Sequence, residues 1–458
     1  MSLVPDNRTA FALRALSARA AARTLDLQYY TWHEDVTGRL LTREVLRAAD
    51  RGTRVRLLLD DLYVRGAERG LATLASHPFV DVRLYNPFRF RAWGALGGAA
   101  AYLLAGWRLN HRMHNKVWIV DGRLAIGGGR NIGDEYFDAA RQFNFRDLDL
   151  VVEGGAVSQA VAHFERYWHS TRVRPIEAVA ASCQLDGGLD ELRRWPDGGD
   201  AAVLATEYLR GMGGARGQLD GLLAKERVPV PDDAIRIVAD PPNKGRGRHR
   251  APGMLDEVRR AIDAARREVV LVSPYFVPGR RGSRLLAALV RRGVRVSVLT
   301  NSLAATDVLA VHGGYARYRR RLLRAGVAFR ELKRGGQQGG RLFGSGGSAS
   351  LHTKALLVDG ELIFVGSYNF DPRSAHLNTE MGTFVRHPTL GGQLRQEYGR
   401  LADPDRSWAV RLEAGGLIWI DREPDGRERR AYRAEPGTTL ARRALASVLG
   451  WLPIEPQL

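Results

Sequence analysis

Residues 114–131 read HNKVWIVDGRLAIGGGRN, and residues 352–369 read HTKALLVDGELIFVGSYN. Both stretches fit the pattern H-x-K-x4-D-x6-G-x-x-N, in which x is any residue. The fixed positions are His114, Lys116, Asp121, Gly128 and Asn131 in the first copy and His352, Lys354, Asp359, Gly366 and Asn369 in the second. In each copy an apolar run, an Asp-Gly pair and a second apolar run follow one another, which predicts a short β-hairpin.

The hairpin pattern predicts which side chains of the motif lie together. A His and a Lys two residues apart point to the same face of a strand. If the Asp-Gly pair is a two-residue loop, His114 faces Gly129, and the second copy places His352 opposite Ser367. The motif asparagines then fold back beside the histidines.

The motif aspartates, Asp121 and Asp359, are candidate site residues because both copies contain them. Their place in the Asp-Gly pair favours a different role, since Asp and Gly both tolerate the backbone conformation of a tight turn. We therefore expect these two residues to form turns and to take no part in chemistry.

The hairpin belongs to a longer internal repeat. A helix pattern that runs into an apolar strand occurs at 14–30 and again at 255–276, and further strand patterns include 82–85 and 328–332. Arg51 and Arg292 are separated by 241 residues, and His114 and His352 by 238 residues. The chain therefore reads as two copies of one α/β module of roughly 160 residues. Continuous apolar strands such as Val55–Leu59 predict a sheet that helices cover on both faces.

The repeat divides the chain of 458 residues into four segments. We expect a first α/β domain, a connector with one or two short helices, a second α/β domain and a C-terminal extension. The extension should contain a strand at 417–420 and an amphipathic helix at 439–452. The segment boundaries are 1–175, 176–233, 234–400 and 401–458.

Composition limits the classes of protein that the chain can belong to. The formal net charge is +19, which favours an anionic partner such as nucleic acid or anionic lipid headgroups. Cys183 is the single cysteine, so an intramolecular disulfide and a cysteine-rich metal site are both excluded. The sequence contains no uncharged run of the roughly 20 residues that a membrane helix needs, and its start lacks a signal-peptide pattern. We expect a protein that does not follow the usual secretory route.

The doubled motif predicts a site for a phosphodiester. Two ammonium groups and two amides can neutralise and orient the non-bridging oxygens. One imidazole can attack phosphorus, and the other can protonate the leaving alcohol. No cluster of carboxylates and histidines with metal-ligand spacing accompanies the motif. We therefore expect neither a metal nor another cofactor.

The motif and its surroundings resemble the phospholipase D superfamily, and within it most of all the bacterial cardiolipin synthases that lack N-terminal membrane helices. The segments that carry the resemblance are DLQYYTW (26–32), GRNIGDEYF (129–137), NSLAATDV (301–308), YNFDPRSAHLNTE (368–380) and LPIEPQL (452–458). The resemblance implies two pseudo-twofold-related α/β/α domains that share one active site at their interface.

The resemblance also implies roles for individual residues. It implies a phosphohistidine intermediate on His114, with His352 as the acid and base. Asp147 and Glu380 occupy the positions of acidic residues that orient the histidine of the opposite half. The candidate substrate-binding residues are Tyr30, Gly129 and Ser367. The first copy departs from the second because Gly129 stands where the second copy has the hydroxyl of Ser367.

The function that this resemblance implies is phosphatidyl transfer to make cardiolipin from phosphatidylglycerol, with a second phosphatidylglycerol or phosphatidylethanolamine. The alternatives are a hydrolytic phospholipase D and a metal-independent phosphodiesterase or nuclease, which the positive charge would also suit. Apolar, Trp-containing stretches favour lipid, so we expect anionic phospholipid substrates and no nucleic acid.

Two elements are candidates for peripheral contact with the cytoplasmic face of the inner membrane. Residues 92–107 (AWGALGGAAAYLLAGW) are uncharged but too short to span a bilayer. The other candidate is the predicted helix at 439–452. Both elements have a second interpretation, because the first could be a buried helix or a lid and the second could pack on the second domain.

Overall fold

The computed structural model describes residues 1–64, 66–88, 110–180, 184–195, 199–211, 227–244, 253–335, 348–413, 416–422 and 427–458. The predicted membrane element at 92–107 lies outside the described residues. In the described residues, most strands belong to two large sheets, one in each half of the chain.

The first half contains a mixed sheet with the strand order β1-β8-β6-β5-β2-β3-β4-β9. Strands β2, β3 and β4 run parallel, and β5 pairs with β2 in the antiparallel sense. The strands are β1 Ser2–Val4, β2 Thr24–Tyr29, β3 Arg54–Asp60, β4 Val80–Tyr85, β5 Val117–Val120, β6 Leu124–Gly128, β7 Phe143–Arg146, β8 Asp149–Glu153 and β9 Val173–Pro175, and the helices are α1 Asn7–Ala20, α2 Val36–Asp50, α3 Glu68–Ala75 and α4 Val157–Trp168.

The connector has more regular structure than predicted. In its described part it contains three helices, α5 Glu177–Ala180, α6 Gly188–Arg194 and α7 Gly199–Gly211, where one or two were expected. Leu192 and Tyr208 are buried against the first half. The sequence analysis underestimated the helices because the glycines and prolines between them dominate the composition.

The second half repeats the arrangement with the strand order β10-β17-β16-β15-β11-β12-β13-β18-β19-β20. Strands β11, β12 and β13 run parallel, and β15 pairs with β11 in the antiparallel sense, as β5 does with β2. The strands are β10 Ile235–Ala239, β11 Glu268–Val272, β12 Arg295–Asn301, β13 Ala328–Leu332, β14 Ser348–Leu351, β15 Ala355–Val358, β16 Leu362–Gly366, β17 Met381–Arg386, β18 Ser407–Glu413, β19 Gly416–Arg422 and β20 Glu428–Tyr432, and the helices are α8 Met254–Asp263, α9 Gly279–Arg291, α10 Leu309–Arg324, α11 Pro372–His376, α12 Pro388–Leu401 and α13 Leu440–Trp451.

The two sheets share a hydrophobic core, to which helices α4 and α12 also contribute. Val117 and Ile119 of β5 belong to the same buried cluster as Val270 of β11 and Leu357 of β15. Helices pack on the outer faces, where α1 and α2 bury their apolar residues against the first sheet. Continuous apolar strands indicate burial on both faces, but they do not specify whether a helix or another sheet provides the cover.

The first motif forms the predicted hairpin, with a register that differs by one residue. Both residues of its Asp-Gly turn have positive φ, 52° and 63°, and Arg123 N–H donates to Val120 O across 2.9 Å. The ladder pairs Val120 with Leu124, so position 123 is an extra residue outside it. The prediction that His114 faces Gly129 is therefore wrong by one position.

The second hairpin has the same shift. Glu361 N–H donates to Val358 O across 3.2 Å, and Val358 pairs with Leu362 in the ladder. The expected pairing of His352 with Ser367 is displaced by one residue for the same reason. A bulge next to the turn leaves the Asp-Gly signal unchanged, so the pattern alone could not reveal the shift.

The C-terminal segment joins the second half. Strand β18 pairs with β13, and β19 contains the predicted strand at 417–420. Helix α13 lies within the predicted 439–452 and packs on α10, where Gly313 closely approaches Ala446 and Gly450. Among the helices that the structure describes, none has the length and apolar character needed to cross a membrane. The boundaries of the four segments remain predictions.

Candidate active site

Backbone hydrogen bonds anchor each motif histidine to the opposite half of the chain. His114 N–H donates to Thr379 O across 2.9 Å, and His352 N–H donates to Arg146 O across 2.8 Å. The second contact continues a two-stranded parallel sheet in which β7 of the first half pairs with β14 of the second. Each acceptor immediately precedes the acidic residue expected to orient that histidine, so the backbone pairing brings acid and histidine together.

The two carboxylates reach the histidines in a crossed arrangement. Glu380 Oε2 lies 2.8 Å from His114 Nδ1, and Asp147 Oδ2 lies 2.5 Å from His352 Nδ1. All four side chains are buried. A carboxylate at Nδ1 fixes the orientation of the ring and leaves Nε2 for chemistry. The site therefore needs both halves, because neither half contains a complete histidine–carboxylate pair.

The motif lysines lie beside the histidines, as their spacing predicted. Lys116 Nζ donates to His114 O across 2.7 Å, and Lys354 Nζ donates to His352 O across 2.5 Å. Both ammonium groups are buried, and both interact electrostatically with Asp147 and Glu380. Two histidines and two lysines are thus concentrated in one place between the sheets.

Aromatic rings flank each imidazole. Tyr30 makes an edge contact with His114 at 5.0 Å between ring centroids, and Lys116 Nζ lies 5.3 Å from the centre of the Tyr30 ring. Tyr136 and Phe145 contact His352 at 5.2 and 4.7 Å. Tyr30 was predicted from the sequence, whereas Tyr136 and Phe145 were not. Tyr136 lies in the GRNIGDEYF segment, and Phe145 lies two residues before Asp147. Both positions were signals that these rings are near the site.

The motif asparagines make different contacts. Asn131 Oδ1 accepts from Thr31 N–H at 3.3 Å, and its amide donates to Tyr136 Oη at 2.9 Å. Asn369 N–H donates to Ser374 Oγ at 3.3 Å. The buried Oδ1 of Asn369 has no hydrogen-bond partner among the described residues. The pseudo-twofold relation between the half-sites is therefore incomplete.

Ser367 and Gly129, both expected to bind substrate, border the carboxylates. Ser367 Oγ donates to Glu380 Oε2 across 2.5 Å and accepts from Met381 N–H across 3.0 Å. A Cβ at Gly129 would lie 2.3 Å from Asp147 Oδ1, which is closer than any side chain can approach. The first half therefore requires glycine where the second half uses a hydroxyl.

The motif aspartates lie in the turns, at the ends of the strands away from the histidines. The Asp121 carboxylate accepts from the backbone N–H groups of Ala22, Arg23 and Thr24 at 2.7 to 3.0 Å. The Asp359 carboxylate accepts from residues 266–268 at 2.7 to 3.2 Å. Each aspartate thus ties its hairpin to the start of the neighbouring central strand, which supports a structural role.

Burial and the nearby positive charges keep the imidazoles neutral. Burial lowers the pKa of His114 to about 4, although Glu380 acts in the opposite direction. Burial, with the charges of Lys354 and Lys116, lowers the pKa of His352 well below its usual range. Burial also lowers the pKa of Lys354 to about 8. At neutral pH each histidine therefore presents a neutral ring.

The two carboxyl groups shift in opposite directions. Burial raises the pKa of Asp147. Burial also acts to raise the pKa of Glu380, but His114, Lys116 and the Ser367 hydroxyl together lower it below its ordinary value. Glu380 is thus held as a carboxylate, whereas Asp147 retains a proton more readily.

A separate group of side chains in the first half has the composition of a metal site. In the described residues, His33, Asp35 and Glu135 lie close enough together to hold a cation. Asp35 already caps helix α2 through Gly38 N–H at 3.0 Å and accepts from Asp134 N–H at 2.7 Å. These contacts give Asp35 a structural role, and the group shares no residue with the paired histidine site.

The fold and the doubled histidine motif define a phospholipase D-like enzyme. The family model described as cardiolipin synthase, PLD-like domain, matches residues 16–168 and 258–402. The chain belongs to this cardiolipin synthase family.

Individual relatives agree with this assignment. Cardiolipin synthase C of Escherichia coli K12 is 40% identical over 97% of this chain and 93% of that protein. Cardiolipin synthase 2 of Staphylococcus epidermidis RP62A is 26% identical over 83% of this chain and 63% of that protein. The crystal structure of phosphatidylserine synthase from Haemophilus influenzae matches with a TM-score of 0.60 and 14% identity, covering 89% of this chain and 87% of that one. At that identity the structural match supports the fold alone.

Proposed function

We propose that this protein is a phosphatidyltransferase that makes cardiolipin from phosphatidylglycerol, with a second phosphatidylglycerol or phosphatidylethanolamine as the other lipid. The crossed pairs His114–Glu380 and His352–Asp147 carry the proposal, because they provide a nucleophile and an acid on opposite sides of one phosphodiester. The 40% identity to cardiolipin synthase C over nearly the whole chain supports the lipid substrate.

In the first step, Nε2 of His114 attacks phosphorus and forms an N–P bond. The P–O bond to the headgroup glycerol breaks, and His352 gives its Nε2 proton to the departing oxygen, so that glycerol leaves. In the second step, the hydroxyl of another phosphatidylglycerol attacks phosphorus, the N–P bond breaks, and His352 takes up the hydroxyl proton. Cardiolipin is released, and both histidines return to their starting states.

The environments of the carboxylates support this order of roles. A nucleophile needs a neutral ring whose Nδ1 proton is held by an anion, and Glu380 remains ionised beside His114. A general acid needs a pair that retains a proton, and burial raises the pKa of Asp147 beside His352. The differences between the half-sites thus favour His114 as the nucleophile.

The lysines link substrate binding to protonation of the acid. Burial, together with the charges of Lys354 and Lys116, lowers the pKa of His352 in the free enzyme. A bound phosphodiester brings a negative charge that offsets the two ammonium groups. The pKa of His352 should therefore rise when the substrate binds, so that the acid gains its proton where it is needed.

We also propose that the enzyme meets its lipids from the cytoplasmic side, as a peripheral protein of the inner membrane. Helix α13 packs on the second half through its small residues Ala446 and Gly450. Its opposite face is apolar and exposed, with Leu440 78% and Trp451 88% accessible to solvent. Leu445 and Val448 lie on the same exposed side. Such a face fits the interfacial region of a bilayer.

The charged residues of α13 do not interrupt this face. Arg442 donates to Leu303 O at 3.0 Å and to Thr306 O at 2.9 Å, which directs it towards the protein. Asn110 donates to the side chain of Gln457 just beyond α13. The described chain therefore resumes, at Asn110, close to the C-terminal end of this helix.

The experiment that tests the function uses vesicles of labelled phosphatidylglycerol, with and without phosphatidylethanolamine, followed by product analysis. We expect labelled cardiolipin and free glycerol from vesicles of phosphatidylglycerol alone. Phosphatidic acid as the main product would instead establish hydrolysis, because water would then be the acceptor. Parallel assays with the H114A and H352A variants exclude a contaminating activity.

The nuclease alternative makes opposite predictions in the same preparation. A net charge of +19 would suit a nucleic acid, whose binding weakens steeply as salt is added. Cleavage of DNA that requires His114, with no reaction on vesicles, would overturn the lipid proposal and leave the two-histidine chemistry intact.

A further inference from the structure

We propose that Lys244 and Asp240 are positioning residues that hold Glu380 in place for His114. The inference rests on the proposed two-histidine function, and its evidence is a chain of contacts from Lys244 through Asp240 and Glu380 to His114. Neither residue belongs to the repeated motif, and the sequence analysis did not select them.

Asp240 holds the backbone of Glu380 from both sides. Asp240 N–H donates to Glu380 O across 2.9 Å, and Glu380 N–H donates to Asp240 Oδ2 across 3.0 Å. The other carboxylate oxygen accepts from Met254 N–H at 2.9 Å, and the Asp240 carbonyl accepts from Tyr167 Oη at 2.7 Å. Asp240 is 1% accessible to solvent, so this arrangement is shielded from water.

Lys244 uses all three of its hydrogen-bond donors in the same region. Its Nζ donates to Asp240 Oδ2, Ser374 O and Asn378 O, each at 2.7 Å. The two carbonyls belong to the segment that leads from α11 to Glu380. Lys244 thus connects the Asp240 carboxylate, which is hydrogen-bonded to Glu380, with the segment that precedes Glu380. Its ammonium group also neutralises the buried negative charge of Asp240.

The choice of lysine at this position has a physical reason. The chain contains 64 arginines and five lysines, and two of those lysines are the motif residues Lys116 and Lys354. An ammonium group directs three donors around one point, whereas a guanidinium group presents a flat fork. Three acceptors that converge on one nitrogen therefore require lysine, and arginine would displace at least one of them.

The proposed consequence is a loss of alignment at His114 when Lys244 changes. Without the ammonium group, the Asp240 charge loses its partner and the loop before Glu380 loses two hydrogen bonds. Glu380 then shifts, and the 2.8 Å contact to His114 Nδ1 weakens. Small misplacements of a reacting group reduce the rate of the chemical step more than substrate binding.

The test compares Lys244→Arg and Lys244→Met with the matched variants Lys333→Arg and Lys333→Met. Lys333 also bridges a backbone carbonyl and a carboxylate, those of Pro404 and Asp421, but it lies in the β13–β18 region. We expect both Lys244 variants to lower kcat at least tenfold with KM changed less than twofold, and to slow phosphohistidine formation. The Lys333 variants should lose thermal stability and keep kcat.

Several outcomes would decide against the proposal. A folded Lys244→Arg variant with kcat within twofold of the unchanged protein overturns it, as does an equal loss of kcat in both Lys333 variants. If Lys244→Met does not fold, Asp240→Asn provides the second measurement. Asn at position 240 retains only part of the hydrogen bonding to Glu380, so this variant should also lower kcat. If the unchanged protein formed phosphohistidine but released phosphatidic acid, the lipid-transfer proposal would fail and the Lys244 comparison would still be decisive.

Discussion

Ser367 Oγ lies 2.5 Å from Glu380 Oε2, and it donates the hydrogen bond that helps to keep this carboxylate ionised beside His114. The equivalent position in the first half is Gly129, where a Cβ would collide with Asp147. The two histidines therefore have chemically different supports, although their motifs look alike in the sequence.

The Ser367→Ala variant should bind substrate normally but depend differently on pH. The hydroxyl stabilises the unprotonated His114–Glu380 pair, so its removal raises the pKa at which the pair takes up a proton. We expect the acid limb of the kcat profile to move to higher pH and kcat to fall about tenfold, which corresponds to one hydrogen bond to a charged group. Ser283→Ala, at a buried serine in helix α9, is the control and should leave the profile unchanged. An unaltered acid limb in Ser367→Ala would contradict the assigned role.

His114→Ala and His352→Ala should each abolish turnover, because neither half-site contains both a nucleophile and an acid. We expect losses of at least about 10³-fold for either variant. Activity should survive EDTA, since the lysines and histidines provide the charges and protons that the reaction needs. His169→Ala, at a histidine with 71% side-chain exposure, serves as the control. Near-normal transfer by either active-site variant, or inhibition by EDTA, would refute the two-histidine mechanism.

A covalent intermediate should accumulate with a slow substrate, and it should map to His114 by mass spectrometry. An N–P bond to histidine is labile in acid and stable in base, which distinguishes it from a serine ester. Label on His352 would reverse the roles of the two histidines. Label on Ser367 would exclude the histidine mechanism altogether.

Asp121→Asn and Asp359→Asn should reduce stability while leaving kcat close to that of the unchanged protein. Burial acts to raise the pKa of each carboxyl group, but the hydrogen bonds that the carboxylate accepts from backbone N–H groups lower the pKa overall. We expect a loss of about 1–2 kcal/mol in the free energy of unfolding for either variant, after allowance for solvent screening.

The pH dependence of that loss has a defined sign. A lowered carboxyl pKa in the folded state stabilises the protein above the unfolded pKa of about 3.9, and this stabilisation is lost as the pH falls through the folded value. Denaturant unfolding should therefore separate Asp359→Asn from the unchanged protein at pH 7, and the difference should shrink as the pH falls below about 3.9 towards the lowered folded pKa. A large loss of kcat in a stable variant would instead assign these residues a chemical role.

Trp451→Ser combined with Leu445→Ser should weaken binding to phosphatidylglycerol vesicles. We expect binding of the unchanged protein to fall only partly in high salt, because the apolar face of α13 inserts while charge attraction is screened. Its Trp fluorescence should shift to the blue on binding, and the variant should lose much of that shift. Phe79→Ser, at another exposed apolar residue, is the control.

Two results would contradict the membrane role of α13. Equal vesicle retention by the double variant and by Phe79→Ser would show that this face is not inserted. A concentration-dependent dimer that the double variant abolishes would identify a second copy of the chain, in place of a bilayer, as the partner of the helix.

The repeat, the hairpins and the paired His-Lys residues could be predicted because they depend on local patterns that occur twice. The crossed contacts of Asp147 and Glu380 came from the resemblance to a family, since no local pattern connects residues more than 200 positions apart. The one-residue shift of each hairpin depends on a bulge that the Asp-Gly signal does not reveal. The hydrogen bond from the Ser367 hydroxyl to Glu380 could not be predicted, because it joins two segments that the motif pattern does not relate.

Lys244 and Asp240 escaped prediction for a related reason. Lys244 lies in the long segment between β10 and α8, whereas only two residues separate β1 from α1 in the first half, so the comparison of the two copies could not find it. The rarity of lysine was the available signal. Four of the five lysines lie at described positions, and three of those four, Lys116, Lys244 and Lys354, lie at or beside the site. The role proposed for Lys244 and Asp240 depends on packing between distant segments, which cannot be read from a single sequence.

The β7–β14 pairing, in which strands from both halves form one small sheet, bears on how such a site can diversify. An enzyme assembled from two identical subunits would carry the same residue at both equivalent positions, and every substitution would appear twice. Here one polypeptide contains both halves, so glycine can occupy the position in one half-site and serine the equivalent position in the other. A single chain thus allows the two motif histidines to have different surroundings.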